Sequence, residues 1–142
     1  DDTNSNNDFD RNFLRNEIVP SLETRWSKLS ERAAFTSLTA KKKKLSLDFM
    51  LEKSFKKEIS SGIIERADFI EIPSFLIEEL IRLILRKKGI ALPNQKLLSE
   101  IMNVFFNKKP SNKSYVEWSR KDGEQIGGKV YSEFNDIIFE QK

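Results

Sequence analysis

Cysteine and histidine are both absent from this 142-residue sequence, and their absence excludes more chemistry than any other feature. Without them there is no disulfide framework, zinc finger, thiol nucleophile, Ser-His-Asp triad or histidine general base. Asp, Glu, Lys, Ser and Tyr remain for catalysis, and none stands in a recognisable catalytic arrangement. Glu78 and Glu79 are adjacent, so on a helix their carboxylates diverge by about 100°. Gly127-Gly128 does not open a helix as a phosphate loop does. The sequence is therefore expected not to be an enzyme and to hold no cofactor or metal. Glycine and proline are scarce, at five and four residues, which argues against a fibrous or disordered chain. Long apolar runs are missing too. The best candidate, residues 75–85, already contains Glu78, Glu79 and Arg82, so no membrane span is expected. The start at Asp1, with no Met and no signal-like apolar stretch, suggests an excised or processed form, and the cytoplasm is the expected compartment.

Eleven Phe and a 38% hydrophobic content supply enough apolar surface for one modest core. Residues 1–7 are polar and patternless and read as a mobile tail. Phe13, Leu14 and Ile18 recur at helical spacing. Pro20 then opens a second helix, in which Leu22, Trp26, Leu29 and Ala33 form one stripe to about Phe35. Leu47, Met50, Leu51, Phe55 and Ile59 predict a third helix over 44–60, stopped by Gly62. Ile63 to Pro73 reads as a short extended segment. Leu76, Ile77, Leu80, Ile81, Leu83, Ile84 and Leu85 cover most of the next helix, capped by Ser74 and stopped by Gly89. Another helix follows Pro93-Asn94, carrying Leu97, Leu98, Ile101, Met102, Phe105 and Phe106. Residues 115–118 fit a strand or a helical turn, and Val130, Tyr131, Phe134, Ile137, Ile138 and Phe139 predict a last helical stripe. The expected fold is mainly α: a compact helical domain of five to six helices with at most a short strand or hairpin. It would span residues 8–142, with N-terminal helices over 8–65 and a core helix pair and C-terminal segment over 66–142.

Charge of one sign is scarce only in the sum. The 25 basic and 22 acidic residues leave +3, but residues 82–121 hold ten basic residues against Glu100 and Glu117, and residues 41–57 hold seven lysines against Asp48 and Glu52. Clustered Lys and Arg are what phosphate neutralisation requires. The candidate nucleic-acid contacts are Arg86, Lys87, Lys88, Lys96, Lys108, Lys109, Lys113, Arg120 and Lys121. Lys41, Lys42, Lys43 and Lys44 form a secondary patch, read as a phosphate-gripping arm or a charged, extended connection between helices. The competing reading is a solvated face that keeps a Phe-rich chain soluble. Trp118, beside Arg120 and Lys121, is either a base-stacking residue or core.

The order Phe69-Ile-Glu-Ile, a helix, Lys87-Lys88-Gly89-Ile90, Pro93-Asn94 and an apolar helix, then Asp122-Gly123-Glu124-Gln125-Ile126 and Val130-Tyr131-Ser132-Glu133-Phe134-Asn135-Asp136-Ile137, resembles DndE. DndE is the small subunit of the bacterial DNA phosphorothioation system. The resemblance covers roughly residues 66–142 and implies a compact, helical, oligomeric protein that binds DNA through surface lysines, here Lys87, Lys88 and Lys96. The resulting expectation is a non-catalytic DNA-binding accessory protein, a subunit of a DNA-modification or defence system. Its partners would be DNA or another polyanion, together with a protein partner or further copies of itself. The alternatives are a helical adaptor that binds protein only, or a processed surface protein.

Overall fold

The computed structural model describes residues 9–111, 113–119 and 126–142; the expected tail at 1–7, Arg120 and Lys121 lie outside them. The chain divides into two compact units, Asp1–Leu47 and Asp48–Lys142.

In the first unit a short helix α1 (Asp10–Phe13) passes through a π-helical turn (Leu14–Ile18) into α2 (Val19–Arg25). Pro20 sits in the first turn of α2, directly after the π-helical turn, where helical hydrogen bonding is already shifted. The helix expected from Pro20 to Phe35 is interrupted: Trp26 leaves helical geometry, and Lys28 adopts a left-handed φ of 64°. A new helix, α3 (Leu29–Ser54), then begins. Its start is fixed by Glu23, whose Oε1 accepts from the Ser30 backbone N–H at 3.2 Å, satisfying a first-turn donor that the helix itself leaves free. Hydrogen bonding to Ser30 holds the Glu23 carboxyl below its ordinary pKa. Helix α3 runs without a break through the lysine run, so Lys41–Lys44 are helical and not the extended connection expected. Successive residues on a helix point about 100° apart, which spreads the four ammonium groups around the axis instead of stacking them.

The second unit takes in the end of α3, then α4 (Lys56–Ser61), which stops at Gly62 in the left-handed region, φ 76°. The predicted extended segment shrinks to a three-residue strand β1 (Ile63–Glu65) followed by a 3-10 turn (Arg66–Phe69). Helix α5 (Ser74–Lys87) is fully amphipathic, burying Ile77, Leu80, Ile81, Leu83, Ile84 and Leu85. Its cap position is Pro73, with no side-chain cap, so Ser74 is a first-turn residue and not the cap predicted. Gly89, φ 68°, ends the helix region. Helix α6 (Gln95–Ile101) is capped by Asn94, whose side chain accepts from the Leu97 N–H at 2.9 Å, and continues as a π-helical turn (Met102–Asn107).

The C-terminal part corrects the mainly α expectation. Strands β2 (Tyr115–Trp118), β3 (Gly128–Glu133) and β4 (Asp136–Gln141) join β1 in one four-stranded antiparallel sheet, order β1-β4-β3-β2. The fold therefore mixes helices with a genuine sheet. The supposed last helical stripe is a hairpin. Val130, Ser132, Ile137 and Phe139 are buried, whereas the residues between them on each strand face outwards, the period of two that a one-sided sheet imposes. Two such strands joined by the two-residue turn Phe134-Asn135 happen to place apolar residues at spacings that imitate a helix. At that turn Phe134 takes a φ of 55°, an uncommon state for a bulky residue.

The second unit's helices share their core with one face of this sheet. Leu80, Leu83, Ile84, Leu98, Ile101 and Phe105 are all buried, together with Ile64, Val130, Ile137 and Phe139. Trp118 belongs to this core: it is 9% exposed, and its indole N–H donates to the Ala91 carbonyl at 2.6 Å. Gly128 is needed beside it, because a Cβ there would run into the Trp118 ring and come within 2.6 Å of Ile90 Cγ2.

Candidate nucleic-acid interface

The C-terminal end of α5, the end of α3 and α4 together frame an open groove of about 480 Å³ lined by Phe49, Glu52, Lys53, Lys56, Ile59, Ser60, Lys87 and Lys88. Its apolar members are Phe49 and Ile59. Around them stand four ammonium groups and one carboxylate. Each lysine is placed by its element: Lys53 lies in the last turn of α3, Lys56 opens α4, and Lys87 ends α5, where cations complement the helix dipole. Lys53 Nζ stands 5.6 Å from the Phe49 ring centroid. Lys88 is half-buried, its side chain lying across Gly62, where any Cβ would collide with it. Its backbone carbonyl is also held, accepting from Gln141 Nε2 at 3.1 Å. Gly62→Ala should therefore act twice, straining a left-handed backbone by about 1 kcal/mol and pushing Lys88 out of the groove. A denaturant titration measures the first effect; an affinity titration with a nucleic acid measures the second.

The acids of α3 partly neutralise this end. Arg86 Nη2 lies 3.0 and 2.9 Å from the two Asp48 carboxylate oxygens, and Lys87 Nζ lies 2.6 Å from Glu52 Oε1. Arg86 is thus committed to a structural ion pair. Lys53, Lys56 and Lys88 have no such pair among the described residues. Of the residues predicted from sequence, the groove brings together Lys87 and Lys88. Lys96, Lys108, Lys109 and Lys113 are exposed but do not line it. Lys41–Lys44 belong to the first unit. Lys53 and Lys56 were missed. They counted only as members of a basic stretch, because the single helix expected over 44–60 breaks at Phe55, which leaves helical geometry between α3 and α4.

The outer face of the sheet has the opposite character. Tyr115, Tyr131, Ile138 and Ile63 pair in one row across the four strands, flanked by Glu65, Glu117, Glu133, Asp136 and Glu140. Lys129 alternates with them and sits over both tyrosine rings, 5.9 and 5.0 Å from their centroids. Burial, and then the Glu140 carboxylate 3.3 Å from its hydroxyl, raise the Tyr131 pKa above its ordinary value. A polyphosphate would be repelled from this face. Among the described residues no group of three or more Asp and Glu is placed to hold a metal ion, and no helix is long and apolar enough to cross a membrane.

No protein-family model matches the chain. It is similar to curated proteins named tRNA(Ile)-lysidine synthase. With the one from Buchnera aphidicola it is 31% identical over 118 residues, covering 82% of this chain and 27% of the relative. With that of Haemophilus ducreyi it is 29% identical over 109 residues, covering 75% and 26%. With that of Haemophilus influenzae it is 24% identical over 143 residues, covering 98% and 31%. The chain thus spans about a quarter to a third of the length of these relatives. These matches overturn the resemblance to DndE, which no family model supports, and with it the reading as a DNA-binding accessory protein of a DNA-modification system. The adaptor and surface-protein alternatives fare no better. The expectation of a protein unconnected with enzyme activity falls as well, since the relatives are enzymes by name, although the likeness reaches only a part of each.

Proposed function

We propose that this chain is the RNA-holding portion of a tRNA-modifying enzyme of the tRNA(Ile)-lysidine synthase kind, acting in the cytoplasm on tRNA(Ile), and that the lysine groove is where it grips the RNA backbone. The groove carries this reading: Lys53, Lys56, Lys87 and Lys88 converge on one open surface while the sheet face is acidic, so a polyanion has one side of the second unit to approach. Lys96, Lys108, Lys109 and Lys113, exposed outside the groove, are proposed as further phosphate contacts. Phosphate contacts of this kind position RNA without reading its bases. The sequence selectivity implied by a single tRNA substrate must come from other contacts.

Fluorescence anisotropy with an unmodified tRNA(Ile) transcript tests the proposal. Changing Lys53, Lys56, Lys87 and Lys88 together to Gln should lower affinity by about tenfold or more at low salt, because each lost phosphate contact removes a counterion-release contribution. Lys129→Gln, on the acidic face, should leave affinity unchanged. Equal affinity of the fourfold variant and the parent would remove the groove from the RNA interface.

A further inference from the structure

The turn between β3 and β4 holds the most exposed large apolar side chain among the described residues, Phe134 at 84%, in a left-handed backbone state, φ 55°. Two-residue hairpin turns favour Asn or Gly at such positions, and stability alone gives no reason for a phenyl ring there. Its surroundings are specific. Phe134 and Asn135 border a small cavity of about 20 Å³ together with Arg66, Lys109, Pro110 and Ser132, room for a single water. Arg66 is fixed in place: its Nε and Nη2 donate to the carbonyls of Phe105 and Phe106 at 3.1 and 3.3 Å, and its backbone N–H donates to the Asn135 carbonyl at 3.1 Å. This network ties the guanidinium to the turn that carries Phe134. Lys109 is exposed. Ser132 is only 2% exposed, and its hydroxyl has no hydrogen-bond partner among the described residues. The carboxylates of Glu133 and Asp136 lie on the opposite, outer face of the sheet, as the strand alternation requires.

From this geometry we infer that Phe134 is a stacking platform for one unpaired nucleotide of the bound RNA, with Arg66 and Lys109 facing its phosphate and Asn135 and Ser132 supplying polar contacts to its edge, the latter through one water. A flat aromatic face beside two cations and an amide suits a nucleotide, which presents a flat π surface and a phosphate together. The inference rests on the reading of the chain as RNA-binding and adds to it a site distinct from the lysine groove.

The test is Phe134→Asn, assayed with unmodified tRNA(Ile) transcript by anisotropy and for stability by thermal melting. Asn relieves the turn, so the melting temperature should hold or rise while affinity falls about five- to a hundredfold, the usual worth of one stacked base. The slope of log affinity against log salt should stay as in the parent, since no charge is lost. Phe134→Trp should retain affinity, and Lys109→Gln should lower the slope by about one. A stable Phe134→Asn variant that binds within twofold of the parent overturns the stacking role while leaving the lysine groove standing, and assigns the exposed ring to a protein contact. If the parent itself binds no tRNA, both readings fall.

Discussion

Raising monovalent salt from about 50 to about 200 mM should weaken tRNA(Ile) binding by roughly 50- to 150-fold through the four groove lysines alone, if each neutralises one phosphate. The arithmetic follows from counterion release: about 0.7 to 0.9 ions freed per contact give a slope of log affinity against log salt near −2.8 to −3.6, applied to a fourfold change. Lys87 will fall short of a full contact where Glu52 competes for it at 2.6 Å. A parent slope only about 2 steeper than that of the variant lacking the groove lysines would therefore show that this ion pair persists in the complex. The same titration on the variant with Lys53, Lys56, Lys87 and Lys88 changed to Gln should flatten the slope to the residue contributed by Lys96, Lys108, Lys109 and Lys113. A parent slope near zero would exclude phosphate contact altogether.

Phe105→Ala should cost about 3–5 kcal/mol, the usual loss for removing a buried aromatic ring, out of a total of about 5–15 kcal/mol for a domain of this kind. Phe105 is fully buried and lies within the π-helical turn that continues α6. The same residue's carbonyl accepts from Arg66 Nε, so loss of the ring loosens the segment that holds that guanidinium. Urea unfolding followed by tryptophan fluorescence, which Trp118 reports from inside the core, should show the midpoint displaced at unchanged slope. A shift under 1 kcal/mol would mean that the α6 turn is peripheral to the core.

The α5 and α6 helices were legible in the sequence because their signals are local: an apolar stripe at helical spacing, a glycine stop after α5 and an asparagine cap on α6. The sheet was not, for a physical reason visible in its residues. Ile63, Ile64 and Glu65 are followed at once by a 3-10 turn, too short a stretch to show alternation. Val130 to Phe139 holds two strands whose turn carries Phe134 and Asn135 instead of the Asn-Gly pair that normally announces a hairpin. The break between α2 and α3 was hidden because it falls inside an unbroken apolar stripe and is set by the contact of Glu23 with Ser30, which no periodicity records. For the candidate interface, composition pointed to Lys87 and Lys88. Which lysines share a surface depended on how α3, α4 and α5 meet, and that is settled by tertiary packing.

Strand order has a kinetic meaning as well. β4 lies between β3, its hairpin partner, and β1, so that Ile138 pairs with Tyr131 on one side and with Ile63, roughly seventy-five positions earlier, on the other. Closing a loop of that length is entropically expensive before any contact rewards it, and such non-local pairings slow folding. The β3–β4 hairpin and the α5–α6 pair are local and can form early, within microseconds. Docking of β1 then becomes the late step, and the residues just before and after it, which frame the lysine groove and hold Arg66, acquire their final geometry only as the second unit completes its fold.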